Sequence, residues 1–185
     1  MEQKLYMVML GCTPKGRFTE QHDIFFGIGK SLSDLIPQMN DFWPEANGEL
    51  HIDVWREVTS VDGFHVSVEA KHNSPASNMQ LFFINLGGYK ENEFEEYHYK
   101  LVTAAETMSD AIKKAKITSF YKHYGFKGAT SHIDDKYGID VDDAYNVNDI
   151  LPASVREQFA IVLTPAVVKE DQLHIGYLKF SKLMK

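Results

Sequence analysis

Two glutamate–histidine pairs are the residues of this chain best suited to chemistry. Glu20 and His22 end a Phe-x-Glu-x-His motif, and Glu96 and His98 end a second copy 76 residues later (98 − 22 = 76). Residues at positions i and i+2 of a strand point to the same face. A carboxylate beside an imidazole can fix its tautomer for proton transfer, or the two side chains can bind a metal ion together. Each pair is therefore a candidate binding site.

Two histidine–aspartate pairs have the same spacing. His51 and Asp53 form one, and a second His-Ile-Asp pattern predicts its counterpart at His132 and Asp134. If the strands are neighbours, each half of the chain gathers two imidazoles and two carboxylates, a set suited to zinc, iron or manganese. The alternation of apolar residues argues against this, because it places His22 on the core side of its strand and His51 on the side away from the core.

The alternative is a structural role, in which each half-buried Glu–His pair hydrogen-bonds the glycine turn of its own repeat. On this interpretation the chain needs no cofactor and no metal, and its catalytic residues, if it has any, are unknown. If a metal is bound, the candidate ligands are His22, His98, His51 and His132.

Other polar features have simpler explanations. The acidic run from Asp134 to Asp149 lacks the glycine of a calcium loop, so we predict a solvated hairpin there. Cys12 is the only cysteine, and no neighbour in the sequence activates it. Gly88 takes its place in the second copy, which indicates that the position needs a small residue.

The elements that would position these residues form two repeats, each with the order strand–strand–helix–strand–strand. We predict the first repeat over residues 1–70, a polar linker over 71–79 and the second repeat over 80–151. Two further apolar strands within 152–185 are predicted to form a hairpin that covers a sheet edge. The predicted fold class is α+β, with a pseudo-two-fold relation in which each repeat buries the apolar sheet face of the other.

Local signals support this division. Gly11 and Gly87 each follow an apolar strand and predict a turn, while Ser31 and Thr107 each begin a capping box and predict the start of a helix. Asp62-Gly63 predicts a hairpin turn.

The chain resembles a small bacterial family known as domain of unknown function 1543. The features that carry the resemblance are the Leu-Gly-Gly or Leu-Gly-Cys sequence, the Phe-x-Glu-x-His motif, the capped helix and the His-Ile-Asp pattern. Members of that family carry one or two copies of a short module. The resemblance covers roughly Leu5 to Val68 and Leu81 to Leu151, as two tandem copies, and departs at Cys12. It implies no activity, substrate or cofactor.

Composition limits the function classes. The chain has 185 residues, 44% of them hydrophobic, and a formal charge of −7. It can bury a core but offers no basic face for nucleic acid or for an anionic membrane surface. With a single cysteine, it is predicted to be cytoplasmic.

We interpret it as a small soluble bacterial protein, a non-enzymatic binding or interaction module with an unknown protein or small-molecule partner. A homodimer is one such arrangement. The alternative is a metal-binding protein or a metal-dependent enzyme that uses the duplicated pairs.

Overall fold

Antiparallel strands and short helices form the part of the chain that the structure describes, which confirms the α+β class. The structure, a computed structural model, describes residues 2–75, 77–89, 92–117, 139–167 and 169–184. The chain divides into two compact units. Unit 1 contains Met1–Ala76 and Ile150–Lys185, and unit 2 contains Ser77–Asp149.

The elements follow one another in short segments. The strands are β1 (Lys4–Cys12), β2 (Gln21–Gly29), β3 (His51–Glu57), β4 (Ser60–Val61), β5 (Phe64–Ala70), β6 (Gln80–Tyr89), β7 (Glu96–Ala105), β8 (Ile139–Asn146), β9 (Phe159–Pro165) and β10 (His174–Lys179). The α-helices are α1 (Ile36–Phe42), α2 (Met108–Ala115), α3 (Val147–Ile150), α4 (Ala153–Arg156) and α5 (Phe180–Leu183), and 3-10 turns cover Leu32–Leu35, Pro44–Ala46 and Lys71–Asn73. No helix among these described segments is long and apolar enough to cross a membrane.

The core of unit 1 lies between one face of β1 and the helical segment that follows β2. Alternate residues of β1, including Val8 and Leu10, are fully buried and pack with Leu35 and Met39. The predicted capping box is present, since the carboxylate of Asp34 accepts a hydrogen bond from the backbone N–H of Ser31 at 3.1 Å. Burial of this apolar stripe, rather than intrinsic helix propensity, stabilises so short a helix.

The prediction of turns at the two glycines is wrong. Gly11 lies inside β1, where it pairs with His22 of β2, and the pairing continues to Cys12 and Gln21. Gly87 likewise lies inside β6 and pairs with His98 of β7. Backbone pairing on both sides keeps each glycine extended, so its small size must serve another purpose.

The predicted C-terminal hairpin is also wrong. β9 pairs with β5 over its whole length, from Phe64↔Pro165 to Ala70↔Phe159, and β10 pairs with β3 in a different sheet. The sheet orders of unit 1 are β10-β3-β1-β2 and β4-β5-β9. β9 and β10 are therefore edge strands of two different sheets and do not pair with each other. The segment 152–185 therefore completes unit 1 instead of forming a separate hairpin.

Two local features hold the strands beside this segment. Asp62 and Gly63 have φ of 51° and 80°, which matches a two-residue hairpin turn between β4 and β5 and confirms that prediction. Before β10, the carboxylate of Asp171 accepts hydrogen bonds from the backbone N–H and the hydroxyl of Thr59, at 3.1 and 2.6 Å.

Unit 2 has a three-stranded sheet in the order β7-β6-β8. The helix cap predicted at Thr107 is confirmed, because its hydroxyl accepts from the N–H of Asp110 at 3.2 Å. Ala111 and Ala115 of α2 pack against Ile84 of the sheet. The prediction of a solvated acidic hairpin from Asp134 to Asp149 is wrong over its described part, because Ile139–Asn146 forms β8 and pairs with β6. Residues 134–138 lie outside the described residues.

Candidate functional site

The four residues that the sequence singled out in the first repeat converge in unit 1. Nε2 of His51 lies 2.9 Å from Oε1 of Glu20 and 3.4 Å from Oδ2 of Asp53. Nε2 of His22 lies 3.3 Å from the same Asp53 oxygen and 3.5 Å from Oε2 of Glu20. We call Glu20, His22, His51 and Asp53 the unit 1 cluster.

Pairing around the central strand brings these residues together. Gly11 of β1 pairs with His22 on one side and with His51 on the other, and directly opposed residues of paired strands share a face. A Cβ atom on Gly11 would lie 2.6 Å from both Asp53 Oδ2 and His51 Nε2. The glycine is therefore required because its neighbours' side chains lie over its backbone.

A β-bulge places the aspartate. Leu10 pairs with Ile52 and Met9 pairs with Val54, so Asp53 is an extra residue on β3. Bulges of this kind redirect a side chain and are frequent beside functional sites.

The expectation that His22 and His51 lie on opposite sides is wrong. The side chain of His51 is only 7% exposed, and both imidazoles approach the same Asp53 oxygen. The alternation argument failed because β2 is buried on both faces, where the adjacent Phe25 and Phe26 are each 1% exposed. A strand covered on both faces does not alternate between apolar and polar residues.

Two polar atoms of the unit 1 cluster are buried without a hydrogen bond. They are His51 Nε2 and Asp53 Oδ2. Nε2 of His51 lies 2.9 Å from Oε1 of Glu20 and 3.4 Å from Oδ2 of Asp53, but no described residue makes a hydrogen bond to either buried atom. Buried polar atoms normally have partners, and such exceptions need an explanation. An imidazole nitrogen and a carboxylate oxygen that are buried 3.4 Å apart without a hydrogen bond are candidate metal ligands.

Unit 2 has a related cluster, which we call the unit 2 cluster and which consists of Glu96, His98 and Asp142. Nε2 of His98 lies 3.3 Å from Oδ2 of Asp142 and 4.0 Å from Oε2 of Glu96. One donor atom from each residue lies within 4.8 Å of the other two, close enough to hold a metal ion. The hydroxyl of Tyr89 donates to Oε1 of Glu96 at 2.7 Å, which raises the pKa of Tyr89 and orients the carboxylate.

Asp142 was not predicted as a site residue, although it occupies the place of Asp53. Asn85 pairs with Asp143 and Leu86 pairs with Val141, so Asp142 is the extra residue of an equivalent bulge. A Cβ on Gly87 would overlap its carboxylate. The predicted counterparts, His132 and Asp134, lie outside the described residues.

The difference in residue number between β3 and its counterpart β8 explains why Asp134 was predicted instead of Asp142. Asp142 follows Asp53 by 89 residues (142 − 53 = 89), whereas the identity of the two His-Ile-Asp sequences suggested 81 (134 − 53 = 81). The strands share only a β-branched residue followed by an aspartate: Val141-Asp142 in β8 and Ile52-Asp53 in β3. A search for this pattern in a segment that can pair with the apolar strand β6 would have found Asp142.

Cys12 does not take part in either cluster. Its side chain belongs to the core on the opposite face of β1. Burial, with a smaller contribution from the charge of Glu20, raises the pKa of the thiol. A thiol that stays protonated is neither a good nucleophile nor a metal ligand.

Comparison with known proteins gives one family and a shared fold. The family model described as Domain of Unknown Function (DUF1543) matches residues 17–68. This segment of the chain is similar to that family, and it contains all four residues of the unit 1 cluster. The presence of a second, tandem copy stays a prediction.

One solved structure is similar over almost the whole chain. It is the crystal structure of a protein Il1583 from Idiomarina loihiensis, with 21% identity and a TM-score of 0.67, and the likeness covers 97% of this chain and 98% of that one. At this identity the likeness shows a shared fold. No curated protein matches the sequence.

Proposed function

We propose that this protein binds divalent transition-metal ions through its His/carboxylate clusters, with the unit 1 cluster as the principal site. The observation that carries the proposal is the pair of buried donor atoms, His51 Nε2 and Asp53 Oδ2, that have no hydrogen bond. A bound cation would satisfy both atoms. It would also neutralise the two carboxylates of the cluster, whose charges would otherwise repel one another.

The spacing of the donor atoms supports a small ion. Ligands at about 2.1 Å from a tetrahedral zinc ion lie about 3.4 Å from one another. Neighbouring donor atoms of the unit 1 cluster have similar separations: Glu20 Oε1–His51, His51–Asp53, Asp53–His22 and His22–Glu20 Oε2 are 2.9, 3.4, 3.3 and 3.5 Å apart. In the unit 2 cluster, one donor atom of each residue lies within 4.8 Å of the other two. Two imidazoles with two carboxylates suit zinc, iron or manganese better than calcium or magnesium, which take mainly oxygen ligands.

We further propose that the two units are copies of one module in a cytoplasmic protein. Support comes from the shared order of strand, strand, helix and strand, and from the glycine–histidine pairing that recurs 76 residues later (87 − 11 = 76). A bulge at the aspartate recurs as well. Since a bulge is a specific local feature, its repetition favours duplication over chance.

Elemental analysis of untagged protein tests the metal proposal. We expect near-stoichiometric zinc, iron or manganese in the wild type. The His22→Ala/His51→Ala variant should lose the metal of unit 1, and His98→Ala/Asp142→Ala should lose that of unit 2. His72→Ala, at an exposed histidine outside both clusters, is the matched control. Wild-type protein without metal, even after reconstitution with each ion, would contradict the proposal.

A second candidate is an interaction module that forms a homodimer. Phe18 and Phe94 are fully exposed and lie at the same place in the two Phe-x-Glu-x-His motifs. Exposed aromatic residues are common anchors of protein interfaces. Light scattering of the wild type and of Phe18→Ser/Phe94→Ser tests this candidate: it requires a dimeric wild type and a monomeric variant.

A further inference from the structure

A tyrosine outside the repeated motif lies against the unit 1 cluster. The ring centroid of Tyr177 in β10 is 4.3 Å from that of His51, with the rings tilted by 37°. β10 is an edge strand beside β3, and Lys179 pairs with His51. The C-terminal segment therefore contributes a side chain to a site whose other residues come from residues 20–53.

A second bulge brings the tyrosine into this position. Ile175 pairs with Val54 and Leu178 pairs with Ile52, so two residues of β10, Gly176 and Tyr177, face Asp53 alone. Gly176 has a φ of 134°, which side-chain-bearing residues rarely adopt. The extra residue and the glycine redirect the strand at the point where the bulge of β3 already places Asp53.

The tyrosine shields the histidine from solvent. Tyr177 itself is 63% exposed, whereas the His51 side chain beneath it is 7% exposed. The phenol ring therefore lies on the solvent side of the imidazole and restricts its rotation, which keeps Nε2 close to Glu20 and Asp53. Groups that orient a ligand histidine and exclude water from it strengthen metal binding.

We infer that Tyr177 is a positioning residue of the unit 1 site and that β10 slows release of the ion bound there. This inference rests on the proposed metal-binding function. In unit 2, the counterpart of β3 is β8, which pairs only with β6 among the described strands. The ion of unit 2 therefore exchanges faster than the ion of unit 1.

Chelator-induced release from the zinc-loaded full chain tests this inference. We expect two kinetic phases in the wild type, with the slow phase absent from His51→Ala. Tyr177→Ala should accelerate the slow phase about tenfold, the lower end of the range for groups that support a metal ligand. Tyr177→Phe keeps the ring and should retain the slow phase. Ile175→Ala, at an exposed residue of the same strand, is the matched control, and thermal unfolding should show that all four variants are folded.

The outcomes separate the two proposals. Two bound zinc ions with a slow phase unchanged in Tyr177→Ala would overturn the role of Tyr177 and leave metal binding intact. A Tyr177→Phe variant that releases zinc as fast as Tyr177→Ala would overturn the shielding role of the ring. A wild type that binds no zinc, iron or manganese would overturn both.

In the metal-free protein, ring-current shifts of the His51 protons should disappear in Tyr177→Ala, and equal shifts would contradict the packing of the two rings.

Discussion

Single atoms decide whether the clusters can form, and Gly11 shows this most directly. In Gly11→Ala the new methyl group would meet Asp53 Oδ2 and His51 Nε2 at 2.6 Å, so both side chains must move. Overpacking of this kind costs about 1–3 kcal/mol. We expect Gly11→Ala to lose the metal of unit 1 and to lower the free energy of unfolding in urea.

Gly87→Ala is the reciprocal control, because the same methyl group in β6 would displace Asp142. It should remove the metal of unit 2 and leave that of unit 1. If Gly11→Ala retained a full complement of metal, the cluster would not depend on the close approach of these side chains to the strand.

The phenol of Tyr6 gives a pH dependence at the same scale. Burial, followed by the nearby charge of Glu57, raises the pKa of Tyr6 from 10.0 to about 12, and the side chain is 2% exposed. Because the folded state holds this proton more tightly than the unfolded state, its contribution to stability is complete below pH 10 and is lost as the pH rises to about 12. The loss amounts to about 2–3 kcal/mol.

Urea unfolding between pH 9 and pH 12 checks this expectation. As the pH rises through this window, the unfolding free energy of the wild type should fall relative to that of Tyr6→Phe. Tyr99→Phe removes an exposed phenol and is the matched control. Parallel curves for the wild type and Tyr6→Phe would show that the phenol ionises equally well in the folded protein.

At the scale of elements, local signals predicted what depends on neighbouring residues in the chain. The caps at Ser31 and Thr107 and the turn at Asp62-Gly63 are in the structure because each depends on a few consecutive residues. The bulges at Asp53 and Asp142 depend on the register between two strands, which no short segment encodes. For this reason the sequence identified Glu20, His22, His51 and Asp53 but not Asp142 or Tyr177.

At the scale of the whole molecule, pairing between distant segments escaped prediction. β5 and β9 each read as ordinary apolar strands, and nothing in either shows that Ala70 lies opposite Phe159. The hairpin prediction relied on closeness in sequence, which favours pairing because a short loop costs less entropy to close. In the structure, β10 pairs with the edge of β3 and β9 pairs with the edge of β5 over its whole length.

Metal binding should stabilise the chain if each unit binds an ion when it is folded and not when it is unfolded. Each ion present at 100 times its dissociation constant stabilises the folded protein by about 2.7 kcal/mol, which for a chain of this size raises the melting temperature by roughly 5–10 °C per site. We expect this increase when zinc is added to the metal-free wild type, and calorimetry measures it. The His22→Ala/His51→Ala variant should keep only the part that unit 2 supplies, and His98→Ala/Asp142→Ala only the part from unit 1. If zinc raised the melting temperature equally in the wild type and in both variants, the ion would act outside the two clusters.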